Sequence, residues 1–238
     1  MKYFVLTLLS LIIFATTFTF AQECDDHFYR MEPGSTFFLT SYDKKDKATG
    51  RQENVVTDVD KSGEGLTATI STKLFDKKDK LITEGEFSVI CEGSSVKIDM
   101  DQMLSSMEQL KSMEGMDTEI ETDYIMLPAD LEVGQELPDS KATIKVKMGS
   151  GDANMMSNEV IIKDRRVEAE EEITTPAGTF TCYKITYNTD INTKVMGMNR
   201  TDVFSGAEWF ARNVGMVKSE SYNKKGELQS YMLLTKLE

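Results

Sequence analysis

The sequence is poor in the residues on which most enzyme chemistry rests. Its 238 residues include one histidine, three cysteines, one tryptophan and four prolines. General acid–base and nucleophilic catalysis most often use a rigidly held histidine, and His27 stands near the N-terminus, a poor place to hold one. There is no Gly-x-Ser-x-Gly elbow, phosphate-binding loop, dinucleotide fingerprint or His-Glu-x-x-His helix. Basic charge is also scarce: 27 Lys and Arg stand against 40 Asp and Glu, a formal net charge of −13. That balance disfavours nucleic acid as a partner, because phosphate binding needs surplus cations. No apolar run beyond the N-terminal one approaches the roughly 18 residues of a membrane span, so none is expected in the mature chain. These shortages point to a non-enzymatic protein with no cofactor.

The N-terminal run reads as an export signal. Met1-Lys2 supplies a positive start, Tyr3–Phe14 is almost wholly apolar, and Thr19-Phe20-Ala21 places small residues at the −3 and −1 positions of a cleavage site. Residues 1–21 are therefore expected to be a signal peptide and 22–238 a single β-rich domain, exported to the periplasm or associated with the outer membrane or exterior. Cys24 follows Gln22-Glu23, and a Glu beside the cysteine does not suit a bacterial lipid-attachment box. In an oxidising compartment two of Cys24, Cys91 and Cys182 are expected to pair, with the choice of pair open.

What the sequence has in quantity is alternation. Leu66, Ala68 and Ile70 alternate with Thr67, Thr69 and Ser71; Ile144, Val146 and Met148 alternate with Thr143, Lys145 and Lys147. The same period of two recurs near 36–42, 160–173, 180–187, 216–222 and 228–237. One wet face and one apolar face suit antiparallel sheet. The phrases Tyr42-Asp43-Lys44-Lys45-Asp46-Lys47, Phe75-Asp76-Lys77-Lys78-Asp79-Lys80 and Tyr222-Asn223-Lys224-Lys225-Gly226-Glu227 are variants of one hairpin tip. Thr175-Pro176-Ala177-Gly178 reads as a fourth turn. Met100, Met103, Leu104, Met107 and Leu110 recur at spacings of three and four, which predicts one short amphipathic helix near 101–114. The expected fold is mainly β: a curled antiparallel sheet, as an open barrel or two-layer sandwich, with that helix packed against it.

Methionine is the most distinctive usage, with 15 in the chain. Met packs irregular cores, lines adaptable apolar pockets and ligates Cu(I). The leading expectation is a lipid-like ligand in a cavity lined by Met103, Met107, Met196, Met198 and Trp209. A structural or protein-interaction role in the envelope is the alternative; a Cu(I) carrier and a carboxylate-based hydrolase are minor ones. Asp58-Val59-Asp60-Lys61-Ser62-Gly63 opens like a calcium loop, but its twelfth position is Thr69 where a bidentate Glu is needed, so a hairpin is the better reading and no metal site is expected.

One resemblance spans nearly the whole mature chain. Thr174-Thr175-Pro176-Ala177-Gly178-Thr179-Phe180-Thr181-Cys182-Tyr183-Lys184, Glu208-Trp209-Phe210-Ala211 and Val214-Gly215-Met216-Val217-Lys218 resemble the TapB-like exported bacterial proteins of unknown function, related to domain of unknown function 3108. Tyr29, Pro33-Gly34 and Phe38 agree with this at the N-terminal end. The resemblance implies an antiparallel β fold in the cell envelope and brings no catalytic residues.

Overall fold

The computed structural model describes residues 24, 27–62, 65–93, 95–99, 101, 116–148, 154–195 and 197–238. The helix expected at 101–114 falls almost wholly outside them. Described secondary structure is otherwise strand: β1 Thr36–Asp43, β2 Ala48–Ser62, β3 Gly65–Asp76, β4 Leu81–Glu92, β5 Ser95–Asp99, β6 Met116–Thr122, β7 Ile125–Pro128, β8 Ser140–Met148, β9 Asn154–Thr175, β10 Gly178–Val195, β11 Met198–Ala211, β12 Gly215–Asn223 and β13 Leu228–Leu237. They form one antiparallel sheet in the order β6-β8-β9-β10-β11-β12-β13-β1-β2-β3-β4-β5-β7.

That order dictates a curl. A flat sheet of this many strands would be about 58 Å wide. Its two edge strands, β6 and β7, are consecutive in the chain and joined through Asp123-Tyr124. The step from Thr122 to Ile125 reaches at most about 11 Å. The edges must therefore approach each other without pairing, and the sheet is an open barrel. Arg165 on β9 bridges this seam: its Nη1 donates to the carbonyl of Met126 on β7 at 3.0 Å and to that of Pro138 at 2.9 Å.

The alternating residues put one face inward. Val56, Ala68, Ile70, Val89, Val96, Leu127, Val167, Ile185, Val217 and Leu234 are fully or almost fully buried in one central cluster. The N-terminal segment fills this interior further. Cys24 is disulfide-bonded to Cys91 on β4, resolving the open pairing and leaving Cys182 as a buried free thiol. Phe28 is fully buried and meets Tyr183 edge to face, Tyr29 packs beside Phe210, and His27 is buried, its carbonyl accepting from Asn213 in the β11–β12 turn. The segment thus crosses the barrel from β4 to β11–β12 before entering β1.

The three related phrases form three equivalent tips. Asp43, Asp76 and Asn223 each accept, through the side-chain oxygen, the backbone N–H groups two and four residues on. The fourth tip residue is left-handed in each: Asp46 at φ 60°, Asp79 at 59° and Gly226 at 75°. Asp, Asn and Gly tolerate that conformation, which explains the shared wording.

Candidate functional site

Residues directly opposed in neighbouring strands share a face. On β10 the inward face carries Tyr183, Ile185 and Tyr187, opposed by Phe210, Glu208 and Gly206 of β11. Tyr187 lies across Gly206; a Cβ added there would stand 2.4 Å from the ring. The missing side chain lets the Tyr187 hydroxyl donate to Glu208 Oε1 at 3.1 Å. A register shift on β9, where Asp164 is left-handed, turns Arg165 toward the same interior. Desolvation pushes the Glu208 carboxyl above its ordinary range, opposed by the Tyr187 hydrogen bond and the Arg165 charge. The same burial lowers Arg165, opposed first by Glu208, and raises Tyr187 and Tyr29. An arginine, a tyrosine and a glutamate thus form a polar floor inside the barrel.

Above this floor the inward face continues into a wing. β10 and β11 pair from Tyr183–Phe210 to Val195–Met198 with no shift, so residues 185, 187, 191 and 195 point the same way. β12 ends at Asn223, opposite Phe204, so residues 198–203 of β11 run roughly 20 Å beyond it. The wing's inward face is built of cross-strand rows: Val146–Met156–Val195–Met198, Ile144–Asn158–Thr193–Arg200 and Ala142–Val160–Ile191–Asp202, with Ile120 opposite Ile144. Val146 is fully buried; Ile120, Ile144, Val160, Ile191 and Val195 are half-buried. None of these belongs to the central cluster. Asn158 Oδ1 is buried there without a hydrogen-bond partner among the described residues. The reverse face is polar. Lys141 and Glu159 pair at 2.7 Å beside Lys145, Lys194 and Asn199, lining an open depression of about 470 Å³.

The methionines and tryptophan singled out in the sequence fall differently. Met103, Met107 and Met196 lie outside the described residues. Met198 ends an inward row of the wing and is 72% exposed. Trp209 is eleven residues along the same strand, hence on the opposite face and about 36 Å away. It is 3% exposed, lies between Lys184 and Lys218, and donates Nε1 to Glu171 at 2.7 Å. The two therefore do not line one cavity. Cys182 shares the face of Lys184, Trp209's neighbour; burial, with Glu171 second, pushes its thiol up to about 12. Arg165 and Tyr187 were not singled out in the sequence, and Glu208 entered only within the Glu208-Trp209-Phe210-Ala211 motif. The β9 shift breaks the alternation around Arg165, and nothing local marks Tyr187 and Gly206, 19 residues apart, as a pair. Among the described residues no cluster of three or more His, Cys, Asp or Glu could hold a metal.

This architecture recurs in solved structures. A candidate lipoprotein from Parabacteroides distasonis superposes with a TM-score of 0.71 at 26% identity, over 90% of this chain and 99% of that one. A candidate exported protein with a YmcC-like fold from Bacteroides fragilis does so with 0.69 at 23%, over the same shares, and shows the common fold. No curated protein matches. The DUF3108-like family model matches residues 32–234, which takes in the N-terminal segment from Glu32, the barrel, the wing and the Thr-Pro-Ala-Gly turn alike, and the chain belongs to that family.

Proposed function

We propose that this is an exported, non-enzymatic protein of the bacterial envelope that holds an amphipathic, lipid-like molecule at the open end of its curled sheet. The apolar part lies along the wing rows of Ile144, Val160, Ile191 and Val195; the polar end points down toward Arg165, Tyr187 and Glu208. One observation carries the reading: beyond the polar floor, the core-facing side of the sheet continues into half-buried apolar residues that lie outside the central cluster. Apolar side chains gathered outside the core, beside a few polar groups, suit a site of contact with an amphipathic molecule. The unsatisfied Asn158 oxygen would take a donor from a hydroxyl- or amide-bearing ligand. Export is supported by the signal pattern of Met1–Ala21 and by the exported and lipoprotein character assigned to the two similar structures.

The test is native mass spectrometry of protein purified from the exporting cell, before and after delipidation. Bound lipid that returns on re-addition is expected, with severalfold less in Val195→Ser. If that variant misfolds, Met198→Glu at the exposed end of the same row supplies the readout. Protein free of lipid when natively purified, or lipid indifferent to both substitutions, overturns the proposal.

A further inference from the structure

The three equivalent tips lie at one end of the barrel. β12, β13, β1, β2, β3 and β4 are consecutive neighbours of alternating direction. The turns β12–β13, β1–β2 and β3–β4 therefore emerge on the same rim, each about 10 Å from the next. They carry eight lysines: Lys44, Lys45 and Lys47; Lys77, Lys78 and Lys80; Lys224 and Lys225. All are exposed, and none makes an ion pair among the described residues.

The five carboxylates of the same tips are otherwise engaged. Asp43 and Asp76 accept backbone N–H groups, which holds both below the usual carboxylate range. Asp46 accepts from the Tyr231 hydroxyl at 2.8 Å, Asp79 from Arg51 Nε at 2.8 Å, and Glu227 from Asn223 Nδ2 at 2.8 Å. Tyr231 and Arg51 sit on the strands neighbouring the tips they grip, so the same contacts lock adjacent tips together. Eight lysines against five hydrogen-bonded carboxylates leave these tips net positive on a protein of net charge −13. Beside Lys80, Leu81 and Ile82 are 43% and 57% exposed.

We propose that this rim docks the protein on an anionic lipid surface, the lysines meeting headgroup phosphates and Leu81 and Ile82 entering the interface. A rim of neighbouring cations with an apolar pair at its margin suits a negatively charged, partly apolar surface better than a small soluble anion. The wing rises from this same end, so docking would bring its apolar rows toward the membrane. The inference stands without the wing holding a ligand.

The test is sedimentation of full-length mature protein with vesicles of phosphatidylcholine alone or mixed with phosphatidylglycerol, across a salt series. Binding to the mixed vesicles only, weakening with salt, is expected. Changing Lys44, Lys45, Lys77 and Lys78 together to Gln should lower partitioning by up to about a thousandfold. Leu81→Ser with Ile82→Ser should weaken binding without changing its salt dependence. Thermal unfolding of each variant checks that the tips persist. The lysine variant should keep its co-purified lipid, which separates this result from that of the wing. Equal binding to neutral vesicles, competition by soluble polyphosphate at matched phosphate concentration, or indifference to the four substitutions overturns the proposal.

Discussion

Gly206 shows how much one absent side chain sets. Tyr187 occupies the space a Cβ would take, and only from there does its hydroxyl reach Glu208. Gly206→Ala should therefore lower stability by about 1–3 kcal/mol, the usual range for overpacking, and raise exposure of the Tyr187 ring by near-ultraviolet circular dichroism. Glu208 itself makes a pH prediction. Its folded pKa lies above its unfolded one, so the folded state holds the proton more tightly. Stability is then greatest below the ordinary carboxylate range and declines as pH rises through the raised value. Glu208→Gln should flatten that decline in denaturant midpoints measured across mildly acidic to neutral pH. Unchanged curvature would mean that other groups govern it.

At the scale of elements, the tips were legible because their chemistry is local. An Asx residue, two lysines and a residue that accepts left-handed backbone specify a hairpin regardless of what surrounds it. The alternation of Leu66–Ile70 and Ile144–Met148 likewise placed β3 and β8, because a half-buried strand writes its period into the sequence. The 22-residue reach of β9 was not legible, since its register shift interrupts the period and the shift is set by packing against β10. Nor could spacing show that Met198 and Trp209 share a strand but face opposite ways. A direct test of the tip code is Gly226. Gly226→Val should lower stability by about 1–2 kcal/mol, because β-branched residues resist φ near 75°. Gly226→Asp should cost much less, since Asp46 and Asp79 already hold that conformation in the sister tips. Equal losses for the two would refute the equivalence of the three turns.

The whole molecule depends on how its two ends are held. One tie is covalent: the Cys24–Cys91 bond closes a separation of 67 residues, for which the chain-entropy model gives about 4 kcal/mol. The other is Arg165. With no ladder between β6 and β7, its guanidinium supplies the described link from β9 to the β7 carbonyl of Met126, while balancing the charge of Glu208. Arg165→Ala would leave two carbonyls without this donor and remove a charge that opposes the desolvation of Glu208, a loss of about 1–3 kcal/mol as for buried acceptors left unsatisfied. The damage has a location as well as a size. Hydrogen exchange should quicken at Ile125–Leu127 and along β5, which pairs with β7 through Val96–Leu127, while β12, β13, β1 and β2 stay protected. Adding Glu208→Gln should recover part of the stability, because the uncompensated charge is gone, but not the protection of β7, because the bridge is still missing. Full recovery of both would show that Arg165 acts only as a counter-charge. Recovery of neither would place its role in packing, and the edges of the barrel would then be held together by the interior they enclose.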